Sequence, residues 1–238
     1  KLALGGRNAR LILQNPDDVA LFARAGLVDA AHVRLIPGSG VDCSRFQPNP
    51  ARAAGSRLRV LLPARLLWDK GLSEYAHAAR LLHAEGRLID FLLAGDPDPG
   101  NPAAVPEADV HQWVGQGLVQ WLGHVDDMPA LLRSVDIVAL PSYREGLPKG
   151  LIEAAASGCA LVTTDVPGCR EVVTHEVDGL LVPVQDAGAL AEAIARLQDD
   201  PGLRMRLAGA GRRKALERFD ERIVVRDTLA VYRELGVA

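Results

Sequence analysis

Arg65 and Lys70 lie in the segment Pro63-Ala64-Arg65-Leu66-Leu67-Trp68-Asp69-Lys70-Gly71. An arginine offers a planar fork of donors that matches phosphate oxygens, and a lysine offers a compact charge. Together they could bind a diphosphate and stabilise it electrostatically as it departs. Two solvated surface cations would show the same pattern. A second segment runs Pro141-Ser142-Tyr143-Arg144-Glu145-Gly146-Leu147-Pro148-Lys149-Gly150-Leu151-Ile152-Glu153. Gly146 lets the backbone approach a ligand closely, and a helix beginning near Pro148 turns its first N–H groups outward as an anion site. Glu145 and Glu153 could accept hydrogen bonds from the vicinal hydroxyls of a sugar. Glu145 also fits a first-turn helix charge. Glu153 falls about two turns into an apolar helix, between Leu151-Ile152 and Ala154-Ala155-Ala156; a carboxylate there needs a partner. Arg144 and Lys149 flank the site as charge helpers.

These segments need elements to hold them. Short apolar strands alternate with amphipathic helices, the pattern of a doubly wound α/β fold with a parallel sheet covered on both faces. Strands are expected over 10–14, 33–37, 58–62, 89–94, 119–122, 137–140, 160–163 and 180–183. Helices are expected from the Asn15 cap with Pro16 at its first position to Gly26, and over 73–85, 110–115, 128–134, 148–157, 187–198 and 203–218, with a last one from Asp220 to about Gly236. Ligands in such sheets sit beyond the carboxyl ends of the strands. Arg65, Lys70, Gly95-Asp96, Gly123-His124 and the 142–150 segment all fall in those loops.

Composition excludes several classes. The chain has 238 residues, and 27 Lys+Arg against 30 Asp+Glu give a net charge of −3. No basic surplus points to nucleic acid, and aromatics at 4% provide few stacking platforms. With 48% hydrophobic residues the chain is neither disordered nor a disulfide-stapled miniprotein. Cys43, Cys159 and Cys169 form no CxxC, which fits reduced, buried thiols in the cytoplasm. No apolar run approaches the roughly 18 residues that span a bilayer, and no signal-peptide layout is present. The scattered histidines offer no metal pair. Gly209-Ala210-Gly211-Arg212-Arg213-Lys214 lacks the strand before it and the Ser or Thr after it that a phosphate loop needs, and reads as a surface helix. A GxSxG elbow is absent, and no GxGxxG follows an early strand, which disfavours a dehydrogenase. Trp68, Trp113 and Trp121 read as packing residues.

The stretch from Arg65 to about Pro183 resembles the C-terminal, nucleotide-sugar-binding domain of GT-B fold glycosyltransferases of family GT4. The resemblance rests on the Glu-x7-Glu motif, Glu145 and Glu153, with Gly146 beside the first Glu. Arg65…Lys70-Gly71, Gly95-Asp96, Leu122-Gly123-His124-Val125, Ala156-Ser157-Gly158-Cys159-Ala160, Val166-Pro167-Gly168 and Asp178-Gly179-Leu180-Leu181-Val182-Pro183 follow in the same order. Asn15-Pro16-Asp17-Asp18 and Ile36-Pro37-Gly38-Ser39-Gly40-Val41-Asp42 resemble the end of the N-terminal domain and the crossover. The Gly-Ser-Gly variant is similar to a bacterial branch that builds surface polysaccharides and lipid-linked oligosaccharides.

The resemblance implies roles. Arg65 and Lys70 would bind the diphosphate and stabilise it as leaving group. Glu145 would hold hydroxyls of the transferred sugar, and Glu153 those of the ribose. Backbone groups of Gly146, Leu147 and Pro148 would line sugar and phosphates, Gly123, His124 and Val125 would meet the base, and Gly38 and Gly40 would bring the crossover to the cleft. Transfer would proceed with retention, without metal and without cofactor. The donor is expected to be a UDP-sugar, with a leaning toward UDP-N-acetylhexosamine, and the acceptor a glycan or lipid-linked glycan. The expected place is the cytoplasm, at the inner membrane face through an N-terminal domain. Residues 1–43 are expected to be the remnant of that acceptor domain, 44–219 the donor domain, and 220–238 a helix returning toward the N-terminal domain. Alternatives are a sugar-nucleotide epimerase of the same fold, or a nucleotide-binding module that is inactive without its acceptor half.

Overall fold

The computed structural model describes residues 9–38, 40–49 and 57–237. Ser39 of the crossover motif lies outside the described residues. Among the described residues, eight strands form two parallel sheets. The first pairs β1 (Leu11–Leu13) with β2 (Val33–Leu35) across α1 (Pro16–Arg24). The second contains β3 (Leu58–Pro63), β4 (Ile89–Ala94), β5 (Gln120–Trp121), β6 (Ile137–Leu140), β7 (Ala160–Thr164) and β8 (Leu180–Val182), in the order β5-β4-β3-β6-β7-β8. This is the doubly wound α/β arrangement expected from the sequence. The order reverses between β3 and β6, so the loops leaving those two neighbours part to opposite faces and open a crevice between them.

Every residue of β6 and of β7 is buried, as strands covered on both faces require. Alternation along the strands sorts the core into two layers. Val60, Leu62, Phe91 and Leu93 face one layer with α2 (Leu72–Ala84) and α7 (Ala187–Asp199). Leu61, Leu92, Val138 and Leu140 face the other with α5 (Lys149–Ala156). The remaining helices are α3 (Glu107–Gly115), α4 (Met128–Leu132), α6 (Pro167–Val172), α8 (Pro201–Lys214) and α9 (Glu221–Glu234). Val224 and Val231 of α9 pack on Ile36, while Arg10 and Arg34 pair with Glu234. The last helix is thus fastened to the first sheet.

The helix expected over 203–218 begins earlier, where the Asp200 side chain accepts from the N–H of Leu203, and gives way to a π-helical turn at Ala215–Phe219. Its Gly211 is buried against the Asp178 carbonyl and Ala155, and Lys214 pairs with Asp178 at 3.2 Å. The 209–214 stretch thus lies on a helix with Gly209 and Arg213 exposed, as expected, and only Gly211 is buried, where the missing side chain lets α8 approach α5. Helix α6 was not anticipated: six residues with two buried small side chains give too short a stripe to read. Cys43, Cys159 and Cys169 are all buried, and burial pushes the Cys43 and Cys169 thiols up to about 11. Trp68 meets Trp113 edge to face, and the Trp121 indole donates to the Gly95 carbonyl at 3.0 Å. Among the described residues no helix is long and apolar enough to cross a membrane.

Candidate functional site

The loop after β3 closes in a 3-10 turn, Trp68–Lys70, and passes through Gly71 in a left-handed conformation into α2. Hydrogen bonds fasten it to the loops beside it. The N–H of Leu66 donates to the Asp96 carbonyl at 3.0 Å, and that of Trp68 to Ala103 at 2.9 Å. On the other side the Asp69 carbonyl accepts from the Tyr143 N–H at 2.8 Å and from the Ser142 hydroxyl at 2.9 Å. Thr164 of β7 donates in turn to the Ser142 carbonyl. The loops after β3 and β6 are thereby one unit, and they carry Lys70 and Glu145 toward each other. Lys70 Nζ lies 2.7 Å from Glu145 Oε1, with the side chains only 19% and 12% exposed.

Arg65 is not part of that pair. Its guanidinium is 64% exposed and binds Asp98 at 2.8 Å. The two cations expected to clamp one diphosphate are each held by a different carboxylate, Lys70 from the β6 loop and Arg65 from the β4 loop. Arg65 has room to exchange partners; Lys70 is shielded.

Helix α5 begins at Lys149, so Glu153 sits one turn in rather than two. Its carboxylate is 18% exposed, with Lys149 Nζ at 3.7 Å. Burial raises its pKa, opposed by Lys149 and Arg45. A carboxyl raised above its unfolded value binds more protons when folded. Stability therefore falls as pH rises through that range, and the penalty is fully present above the folded pKa. Glu153→Gln is expected to raise the Tm of the free chain at pH 7, measured by calorimetry, with no gain at pH 4.

The loop after β5 holds Gly123, His124 and Val125. The Gly123 carbonyl accepts from the Gly95 N–H at 2.9 Å, which ties this loop to that of β4. The His124 ring stands 2.7 Å from Asp96 and 3.4 Å from Asp126. The hydrogen bond to Asp96, then the charges of Asp96 and Asp126, raise its pKa. The stabilisation of the imidazolium is complete below the ordinary imidazole value near 6.5 and is lost as pH rises through the folded pKa. A proton NMR titration is expected to place His124 above that value, and Asp96→Asn to return it toward it.

The crossover glycines have different neighbours. A side chain at Gly38 would press on the Leu147 side chain at 2.9 Å, so this glycine lies against the loop that carries Glu145. One at Gly40 would meet the Glu221 backbone at 2.5 Å, so Gly40 serves the start of α9. Gly146 is exposed, Leu147 half-buried and Pro148 buried just before α5. Two residues read only as motif or cap prove to hold this loop. A side chain at Gly168 would lie 2.5 Å from the Glu145 and Gly146 carbonyls. The buried Asn15 donates to the Gly146 carbonyl at 3.0 Å. Among the described residues no three His, Cys, Asp or Glu side chains gather as a metal-binding group.

Residues 57–200 match the family of glycosyl transferases group 1. Over 173 residues the chain is 36% identical to the N,N'-diacetylbacillosaminyl-diphospho-undecaprenol alpha-1,3-N-acetylgalactosaminyltransferase of Campylobacter jejuni, covering 73% of this chain and 44% of that protein. The chain spans about half the length of the curated relatives it matches. Sucrose-phosphate synthase from Thermosynechococcus elongatus shares the architecture with a TM-score of 0.81 at 28% identity, over 94% of this chain and 58% of its own. The Anabaena protein HepE, solved with UDP and glucose, gives a TM-score of 0.81 at 24% identity over 93% and 63%, a likeness of fold. The match over residues 57–200 and the identity to the Campylobacter transferase carry the assignment: this chain belongs to the group 1 glycosyl transferases.

Proposed function

We propose that this chain binds the donor of a retaining, GT4-type hexosyltransferase, a nucleotide-diphospho-sugar, and supplies the groups that stabilise the departing diphosphate. The observation that carries this reading is the shielded Lys70–Glu145 pair at the reversal of strand order. A cation for phosphate and an acceptor for sugar hydroxyls stand side by side, as the junction between diphosphate and sugar requires. Lys70 and Arg65 take the diphosphate, Glu145 the sugar hydroxyls, Glu153 the ribose, and Gly123–Val125 the base. The backbone at Gly146, Leu147 and Pro148 lines the sugar and phosphates.

In this reading the acceptor hydroxyl attacks the anomeric carbon on the face the diphosphate leaves. The carbon–oxygen bond to phosphate breaks with its electron pair on the diphosphate, which takes the acceptor's proton. Neither glutamate forms a covalent bond, unlike the nucleophile of a retaining hydrolase. Lys70, Arg65 and the start of α5 meet the phosphate charge, so the reading uses no metal ion.

The Campylobacter relative is named for transfer of N-acetylgalactosamine to a diphospho-undecaprenol-linked saccharide. That name supports a UDP-N-acetylhexosamine donor and a lipid-linked acceptor, hence work at the inner face of the membrane in surface-glycan synthesis. Turnover in this reading requires an acceptor domain, to which residues 1–43 are assigned. The family match favours transfer over epimerisation.

A thermal-shift panel of UDP, GDP and ADP tests the site, since a ligand stabilises only by binding the native state: about 2.7 kcal/mol at a hundred times its Kd. A rise in Tm with UDP is expected. A larger rise with GDP would correct the base, and no shift with any of the three would overturn the reading. Glu153→Gln, expected to stabilise the free chain, should at the same time weaken UDP roughly tenfold through loss of a charged hydrogen bond.

A further inference from the structure

Asn15 makes more contacts than a helix cap requires. Its Oδ1 accepts from the Asp18 N–H at 2.8 Å, which caps α1. Its Nδ2 donates to Asp18 Oδ2 at 2.9 Å and to the Gly146 carbonyl at 3.0 Å. The residue is 1% exposed. Serine and aspartate cap helices as well as asparagine does, and threonine nearly as well. None of them offers an acceptor together with an NH2 whose two protons point elsewhere. The second proton goes to a carbonyl between Glu145 and Leu147, in a different sheet unit.

The rest of the contact has the same sense. On its other side the loop carbonyls of Glu145 and Gly146 rest on Gly168, where even a methyl group has no room. Gly38 closes on Leu147. Arg170 of α6 reaches Asp17 of α1 at 3.3 Å, across the same gap. The segment that presents Glu145 is therefore held between α6 and the first helix, and Asn15 is the buried polar link from the α1 side.

We propose that Asn15 is a positioning residue of the donor site: through the Gly146 carbonyl it sets the path of the loop that places Glu145 beside Lys70 and presents the Gly146–Pro148 backbone to the ligand. This rests on the reading of that loop as the sugar and phosphate wall. It makes donor binding depend on the docking of α1, a helix that carries no group expected to touch the donor.

The test uses Asn15→Ser and Asn15→Thr, which keep an acceptor for the Asp18 N–H and remove the amide without adding a charge beside Asp18. Asn15→Ala, which loses the cap as well, serves as comparison. Peptide-level amide hydrogen exchange over residues 143–151 reads the loop without any ligand. Calorimetry reads UDP affinity. Asn15→Ser is expected to lower the Tm slightly, and to speed exchange in this peptide and weaken UDP, the last two each roughly threefold to tenfold, the range for one lost hydrogen bond. Asn15→Ala should add a further fall in Tm. Unchanged exchange over 143–151 in both cap-preserving variants would overturn the proposal, because the loop would then hold its path without the amide. Faster exchange with unaltered UDP affinity would overturn the link to the donor. A wild-type chain that binds no nucleotide would sink the donor-site reading instead, and the exchange data would still decide whether Asn15 positions the loop.

Discussion

Lys70→Ala is expected to weaken UDP binding by about ten- to a hundredfold, the range for charge-assisted hydrogen bonds to an ion. Lys70 is the shielded cation of the site, so its charge is screened less by water and salt than that of Arg65. Arg65→Ala should therefore cost less, and its effect should shrink more at high salt. The sign for Glu145 differs. In the free chain Glu145 neutralises Lys70 at 2.7 Å, and a diphosphate must compete with that carboxylate. Glu145→Gln keeps the shape, removes the competing charge and leaves Lys70 free to face the phosphates. It should bind bare UDP as well as the wild type or better, and bind the UDP-sugar no better than UDP, because the sugar loses its charged acceptor. Calorimetry with UDP and with UDP-N-acetylhexosamines separates the two. Equal loss of UDP affinity in Lys70→Ala and Glu145→Gln would mean that the pair only holds the loop together.

That contrast shows where sequence reasoning reaches. Strands β4 and β6 coincide with their expected bounds because each is an apolar run, interrupted in β4 only by Asp90, and closed by turn residues. Lys70, Glu145 and Glu153 stood out because charge in a strand-end loop or an apolar helix needs a reason. Their partners were not legible. Lys70 meets Glu145 only because β3 and β6 are neighbours, which follows from strand order and not from spacing along the chain. The Arg65–Asp98 pair depends on how the proline-rich loop after β4 folds back. Asn15 carried a signal, an asparagine ahead of Pro16, but the signal for a cap hides any second use of the amide. Gly168 looked like a motif residue without a task until α6, unseen in the sequence, placed it under the Glu145 and Gly146 carbonyls.

Gly71→Ala should destabilise the chain by about 2–5 kcal/mol, the sum of a left-handed penalty and a forced clash. Gly71 has φ +73°, and a methyl group there would overlap the Pro141 carbonyl. Pro141 begins the loop after β6, so the missing side chain is what allows the two site loops to touch. Gly86 supplies the control. It has nearly the same conformation, φ +74°, at the end of α2, and a methyl group there would find nothing within 4 Å. Gly86→Ala meets the conformational cost alone, about 1–2 kcal/mol. Urea unfolding of both variants isolates the steric part. The consequence for the site follows from the same geometry. If the methyl at position 71 pushes the loops apart, the bonds from Tyr143 and Ser142 to the Asp69 carbonyl lengthen, and Lys70 no longer reaches Glu145. A folded Gly71→Ala protein should then lose UDP affinity to about the extent of Lys70→Ala, while Gly86→Ala binds UDP as the wild type does. Equal and small losses of stability in the two variants would show that the loops can part at little cost, and that their contact does not set the spacing of the pair.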